Sequence, residues 1–185
     1  MPKFVIFAGV NGAGKTTLYL SNPKLQNLPR VNVDEIVRDI GRWDNPQDVF
    51  KAGKIAVAKI KEYMAANKSF NQETTLCGGS IIKNIINAKQ QGYVIELYYV
   101  GLDNEDLAVQ RVNERVKNGG HGIPEADIRK RYNRSFGQLK KVIPYCDRIE
   151  LYDNTIVFKS VAIYENRSWD ITDKNIPDWC KKIIE

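Results

Sequence analysis

An apolar, strand-like run, Phe4-Val5-Ile6-Phe7-Ala8, leads straight into Gly9-Val10-Asn11-Gly12-Ala13-Gly14-Lys15-Thr16-Thr17. No other stretch limits the fold as strongly. Closely spaced glycines let backbone N–H groups turn inward around an oxyanion, and a helix opening at the lysine adds the positive end of its dipole. Residues 9–16 satisfy G-x-x-x-x-G-K-[ST], with a strand before and a helix after. The pattern predicts a phosphate-binding loop for a nucleoside triphosphate. Gly9, Asn11, Gly12, Ala13, Gly14, Lys15, Thr16 and Thr17 are its expected nucleotide contacts. Lys15 would place a point charge at the outer phosphates, and the Thr16 hydroxyl would ligate Mg2+.

The remaining chain continues in the same style. KFVIFA (3–8) reads as a first strand followed by a helix over about 14–21, and RVNV (30–33) as a short second strand. Asn45-Pro46 opens a helix to Asn67, since proline suits the first helical position. FNQETTL (70–76) is a third strand, IIKNIINAKQQ (81–91) an amphipathic helix, and YVIELYYV (93–100) a fourth strand apolar enough to be covered on both faces. Asp103 is the expected cap of a helix to about Asn118, and Pro124 opens another to about Ile143. Residues 147–164 read as a hairpin turning at Asp153-Asn154, and a short helix over Pro177–Ile184 closes the chain. Alternation of strand and helix predicts a parallel sheet with helices on both faces.

With 185 residues and no repeat or linker, the chain reads as a single domain over 1–185. A net charge of +6 suits anionic ligands, nucleotides and nucleic acids alike. No apolar run approaches the ~18 residues of a membrane span, and MPKFVIF lacks the pattern of a signal peptide. Cys77, Cys146 and Cys180 are an odd set at wide spacing, and His121 is the single histidine. A reduced, cytoplasmic protein without structural zinc is therefore expected.

A phosphate loop does not by itself say where the phosphate goes. The N-K-x-D motif of GTPases is absent, and the fourth strand ends in Val-Gly rather than in the acidic residue of motor ATPases. A small-molecule kinase needs an acceptor pocket at the carboxyl ends of neighbouring strands. Asp34 follows the second strand and Glu73 closes the third. One carboxylate can accept the proton of an attacking hydroxyl, and the other can hold Mg2+ through water or orient the acceptor. The plainer alternatives are a helix cap for Asp34 and a lysine-paired edge carboxylate for Glu73; Glu35 and Asp39 read as solvated. Arg111 and Arg115 share one helix face, GGHGIP follows, then Arg129, Lys130, Arg131 and Arg134. Gly119, Gly120 and Gly122 suggest a mobile joint in a lid over about 111–135, whose Arg115 and Arg131 would meet charge developing on the transferred group. His121 in that lid reads either as a phosphate contact or as a surface residue. A nucleic-acid face ranks lower, because only Tyr132 and Phe136 interleave there, at core-like spacing.

The ordered set of phosphate loop, Asn32-x-Asp34, Glu73-Thr74-Thr75, R-x-x-x-R, G-G-H-x-I-P and Asp153-Asn154 resembles the zeta-toxin-like kinases, over roughly residues 3–165. The resemblance implies an α/β, three-layer α/β/α phosphate-loop NTPase fold. Its mainly parallel five-stranded core would carry a small helical lid, with a C-terminal β-hairpin after it. It implies ATP or GTP with Mg2+ as donor, Asp34 as base, Glu73 and Thr75 in the acceptor pocket, and Arg115 on the phosphates. Toxin members phosphorylate UDP-N-acetylglucosamine and are restrained by an antitoxin partner. This chain departs twice: residues Val49 to Lys61 hold no carboxylate where toxins carry a substrate-binding glutamate, and His121 stands where they carry a lid arginine. The expected function is phosphoryl transfer to a small-molecule hydroxyl, with a polynucleotide- or nucleoside-type kinase and a non-enzymatic nucleotide switch as alternatives.

Overall fold

A computed structural model describes residues 1–185. Its centre is one seven-stranded sheet in the order β2-β3-β1-β4-β5-β6-β7. The strands are β1 (Lys3–Ala8), β2 (Arg30–Val31), β3 (Phe70–Thr74), β4 (Val94–Gly101), β5 (Arg148–Asp153), β6 (Lys159–Glu165) and β7 (Ser168–Ile171). The first five run parallel, while β6 and β7 are antiparallel additions. The helices are α1 (Lys15–Leu20), α2 (Pro23–Gln26), α3 (Val33–Ile40), α4 (Pro46–Ala65), α5 (Gly79–Gln90), α6 (Glu105–Lys117), α7 (Glu125–Val142) and α8 (Asp178–Ile184).

Side-chain alternation along β1 splits the core in two. Phe4 and Ile6 point into the larger cluster, under α4, α5, the second half of α7 and α8. Val5 and Phe7 point into a smaller one, under α1, α6 and the start of α7. This is the expected three-layer α/β/α arrangement with a C-terminal hairpin.

Several local boundaries differ from the sequence expectation. The second strand stops at Val31, because the Asn32 side chain accepts from Asp34 N at 2.9 Å and starts α3 at once. Asn32 is therefore the cap, and Asp34 lies in the first helical turn with its carboxylate uncommitted to capping. The third strand stops at Thr74, whose hydroxyl accepts from Leu76 N at 3.0 Å, while Leu76 takes a left-handed φ of 60°. Asn104, not Asp103, caps α6, accepting from Leu107 N at 2.9 Å. The hairpin has a five-residue turn, 154–158, in place of the tight Asp153-Asn154 turn. The strand β7, absent from the sequence reading, joins β6 through Asn166-Arg167, both at positive φ as a two-residue hairpin turn requires.

The longer turn has a physical cause. Asp153 is buried and accepts from Thr155 Oγ1 at 2.7 Å and from the indole Nε1 of Trp179 at 3.1 Å. The carboxylate thus ties α8 and the turn to the end of β5, next to the phosphate loop. Asp153→Ala leaves the buried indole N–H unpartnered and should cost about 1–3 kcal/mol. A urea unfolding midpoint equal to wild type would contradict this anchor.

Candidate functional site

Strands β1 and β3 end side by side, with Phe7 opposite Glu73 and Ala8 opposite Thr74. The glycine loop turns over this edge, with Gly14 at φ 103°. A Cβ at Gly14 would lie 2.6 Å from Asn154 Nδ2, which donates to Ala13 O at 2.9 Å, so the hairpin turn braces the loop. Arg131 braces it from the other side, donating to Asn11 Oδ1 at 3.1 Å. Lys15 is buried and its Nζ donates to Val10 O at 3.1 Å. Burial lowers the Lys15 ammonium pKa, opposed by the carboxylates of Glu73 and Asp34. The site is thus prepared for negative charge that would restore a strongly held ammonium.

Glu73 has an arginine partner, where a lysine was the plainer expectation. Arg30 Nη2 donates to it at 2.5 Å, Asn32 Nδ2 at 3.2 Å, and Thr16 Oγ1 lies 3.2 Å from both of its oxygens. Arg30 also pairs with Glu35 at 2.8 Å and lies 3.6 Å over the Tyr19 ring. Glu35 is therefore half-buried and paired, contrary to its reading as a solvated helix position. Arg30 carries no local motif, so only the β2–β3 pairing reveals its role.

Two clefts meet at this edge. A cleft of ≈ 240 Å³ is lined by the loop, by Thr16 and Thr17 at the start of α1, and by Arg111 and Arg115. A second, of ≈ 830 Å³, has room for a metabolite-sized ligand. It lies between α4, α5 and the segment 121–134, and Thr75 lines it. Asn11, Lys15, Asp34 and Glu73 line both. Four buried side-chain polar atoms have no partner: Arg111 Nη1, Arg115 Nε, Gln72 Oε1 and His121 Nε2. The arginines line the smaller cleft, and Gln72 and His121 line the larger.

The α4 wall of the large cleft is apolar, formed by Val49, Gly53, Ala56, Val57 and Ile60. The acidic residue in the first turn of α4, Asp48, is committed to Arg42 N at 3.0 Å. Lys130, Arg131 and Arg134 line the opposite side, but Arg129 is spent on Glu105, Asp106 and Glu125. The aromatics of this region are internal. Tyr132 donates to Leu102 O at 2.8 Å, and Phe136 stacks 5.7 Å from Trp179, so neither offers a platform for a base.

The glycine segment after α6 is packed against that helix. A Cβ at Gly120 would lie 2.5 Å from Arg115 Cγ, and Arg115 Nη2 holds His121 O at 2.9 Å. His121 lies against the large cleft rather than the smaller one. Its ring stacks on Trp43 at 4.0 Å and 10°, with Nε2 3.5 Å from Asp34 Oδ2. Trp43 was invisible as a site residue, because nothing near it in sequence signals the stack.

Burial lowers the His121 pKa below its ordinary 6.5; Asp34 opposes the shift, and Arg115 and Arg38 add to it. The unfolded chain therefore takes up this proton first. Stability should fall as pH drops through 6.5 toward the lower folded value. Between about pH 7.5 and 5.5, wild type should lose more stability than His121→Phe. Parallel pH slopes for the two proteins would contradict a buried neutral imidazole.

No family model matches the chain. An uncharacterised protein of Haemophilus influenzae is 32% identical over 134 residues, covering 70% of this chain and 92% of that protein. Among solved structures, a chain of the PezAT chromosomal toxin–antitoxin system of Streptococcus pneumoniae matches with a TM-score of 0.63 at 16% identity, covering 100% of this chain and 78% of that one. A chain of the native AvrRxo1-ORF1:-ORF2 complex matches with a TM-score of 0.73 at 14% identity, covering 100% of this chain and 64% of that longer one. The same complex has also been solved with ATP. No helix is long and apolar enough to cross a membrane. The chain belongs to one family with the Haemophilus influenzae protein, and it shares its fold with the PezAT toxin–antitoxin chain and the AvrRxo1 chain.

Proposed function

We propose that this protein is a kinase that moves the γ-phosphate of ATP or GTP onto a hydroxyl of a small molecule. One observation carries the reading. The buried polar atoms left without partners all line the two clefts, two guanidiniums in the phosphate cleft and two polar side chains in the larger one. Each such atom costs about 1–3 kcal/mol unless something binds it. Cationic orphans suit phosphate, and Gln72 Oε1 suits a donor group on an acceptor.

Asp34 lies where the clefts join, so it reaches a hydroxyl bound on one side and a phosphate bound on the other. It takes the hydroxyl proton as the oxygen attacks the γ-phosphorus and the bridge to the β-phosphate breaks. Lys15, Arg115 and Arg131 meet the spreading negative charge, with residues 111–135 acting as a lid. The donor set at Thr16 and Glu73 fits Mg2+, which takes one or two carboxylates and substrate phosphates rather than a cage of protein ligands. No group of three or more His, Cys, Asp or Glu forms such a cage here. The Thr16 hydroxyl and, through water, Glu73 would hold the ion, which neutralises phosphate charge when bound.

A UDP-amino-sugar as acceptor draws support from the resemblance, but the apolar α4 wall favours an acceptor with a less polar flank. The likeness to a toxin–antitoxin chain supports a restraining partner protein as part of the same reading. Internal aromatics and a neutralised Arg129 disfavour a nucleic-acid acceptor. A cytoplasmic setting accords with this reading.

Asp34→Asn keeps the shape of the side chain and removes the proton acceptor. Transfer should fall about 10²–10⁴-fold with nucleotide affinity retained. Full transfer by this variant would refute Asp34 as base. Lys15→Ala should lower turnover by at least about 10²-fold, and retained turnover would remove the phosphate-loop role.

A further inference from the structure

We propose that His121 is a catalytic residue of the acceptor site, donating from Nε2 to the oxygen of the acceptor hydroxyl while that hydroxyl donates to Asp34. The assignment rests on the kinase reading above and adds to it a residue that holds the nucleophile.

The geometry points there from three sides. First, the imidazole is fixed. It lies flat on Trp43, 4.0 Å between centroids and 10° from parallel, and Arg115 Nη2 holds its backbone carbonyl at 2.9 Å. Trp43 belongs to the connection between α3 and α4, and it lines the large cleft together with residues 121–124, so the stack fastens the two segments to one another at the wall of that cleft. Second, Nε2 is buried and has no partner. A side chain held this firmly with an unsatisfied polar atom is arranged for something that arrives later. Third, Nε2 lies 3.5 Å from Asp34 Oδ2. That distance is too long for a good hydrogen bond, and both groups border the space in which an acceptor would bind.

A hydroxyl bridging Asp34 and His121 has its geometry nearly determined. Its hydrogen goes to the carboxylate, and one lone pair accepts from Nε2. The other lone pair is left to face the γ-phosphorus, since Asp34 also borders the phosphate cleft. In the transfer, the acceptor O–H bond breaks and its proton passes to Asp34. The oxygen forms a bond to the γ-phosphorus, and the bond from that phosphorus to the β–γ bridging oxygen breaks. The nucleoside diphosphate leaves with that electron pair, and Asp34 returns the proton to solvent. His121 keeps its own proton throughout. A donor to the nucleophile costs little here, because phosphoryl transfer passes through a loose transition state in which positioning outweighs nucleophilicity.

The test uses two variants of the full chain. His121→Phe keeps a flat ring on Trp43 and removes the N–H; His121→Gln loses the ring and keeps an N–H donor. Each is mixed with γ-labelled ATP, Mg2+ and a cell metabolite extract. Initial rates of label transfer to any small-molecule product other than the donor nucleotide are read beside the affinity for a fluorescent ATP analogue and the thermal unfolding midpoint. His121→Phe should lose about 10²-fold in transfer, the scale of a mispositioned nucleophile, with ATP affinity and unfolding midpoint retained. His121→Gln should recover part of that loss. Wild-type transfer by His121→Phe would overturn the assignment and leave the kinase reading intact. So would a parallel loss of ATP affinity, which would make His121 a phosphate contact, or equal defects in both variants with lowered midpoints, which would make it structural. Absence of labelled product from the wild-type protein would overturn the kinase reading and this assignment together.

Discussion

Parallel pairing of β1 with β3 decides where the candidate site lies. With Phe7 opposite Glu73 and Ala8 opposite Thr74, the two strands end level. The glycine loop leaves one strand at the height where Glu73 leaves the other, and Thr16 comes within 3.2 Å of both carboxylate oxygens. Adding β2 to the same edge brings Arg30 and Asn32 onto Glu73, and Asp34 lines the same two clefts as that carboxylate. A one-residue slip would turn Glu73 to the opposite face and dismantle the cluster. The apolar faces of β1 prevent it, because alternate residues are committed to two separate clusters.

On that edge the protein keeps polar groups unsatisfied. Folding proteins usually pair every buried donor and acceptor, since an orphan forfeits its hydration without return. Here the residues that carry the orphans line the two clefts, and the two arginines are held there by other bonds. Arg115 spends one nitrogen on His121 O, and Arg111 spends one on Thr155 O at 3.3 Å. Each keeps another nitrogen without a partner, and both residues line the smaller cleft. Such preorganisation stabilises a developing charge without reorganising at the moment of reaction.

Much of this is legible in the sequence. The glycine loop is punctuated by residues with strong backbone demands, and the strand–helix alternation follows from period and composition. Both therefore survive in a single sequence. Competition between neighbours is harder to read. Asn32 and Asp34 are both good caps, as are Asp103 and Asn104, and only local geometry settled each contest in favour of asparagine. The hairpin turn does not fall at Asp153-Asn154, because that pair has turn chemistry locally but is claimed by distant partners, Trp179 and Ala13. Short, exposed β7 has too little alternation to announce itself. Trp43 on His121 joins residues with no sequence relation at all, so a histidine that reads from the sequence as either a phosphate contact or a surface residue is found stacked against the larger cleft.

Two clefts sharing Asp34 and Lys15 make sense if two substrates meet there. The direct measurement compares ATP labelled at the γ position with ATP labelled at the α position, each incubated with the protein, Mg2+ and a metabolite extract. The account predicts that γ label, and not α label, appears covalently on a small hydroxyl compound in a product one phosphate heavier than its precursor. Label released only as inorganic phosphate, or found on polynucleotide ends, would contradict it.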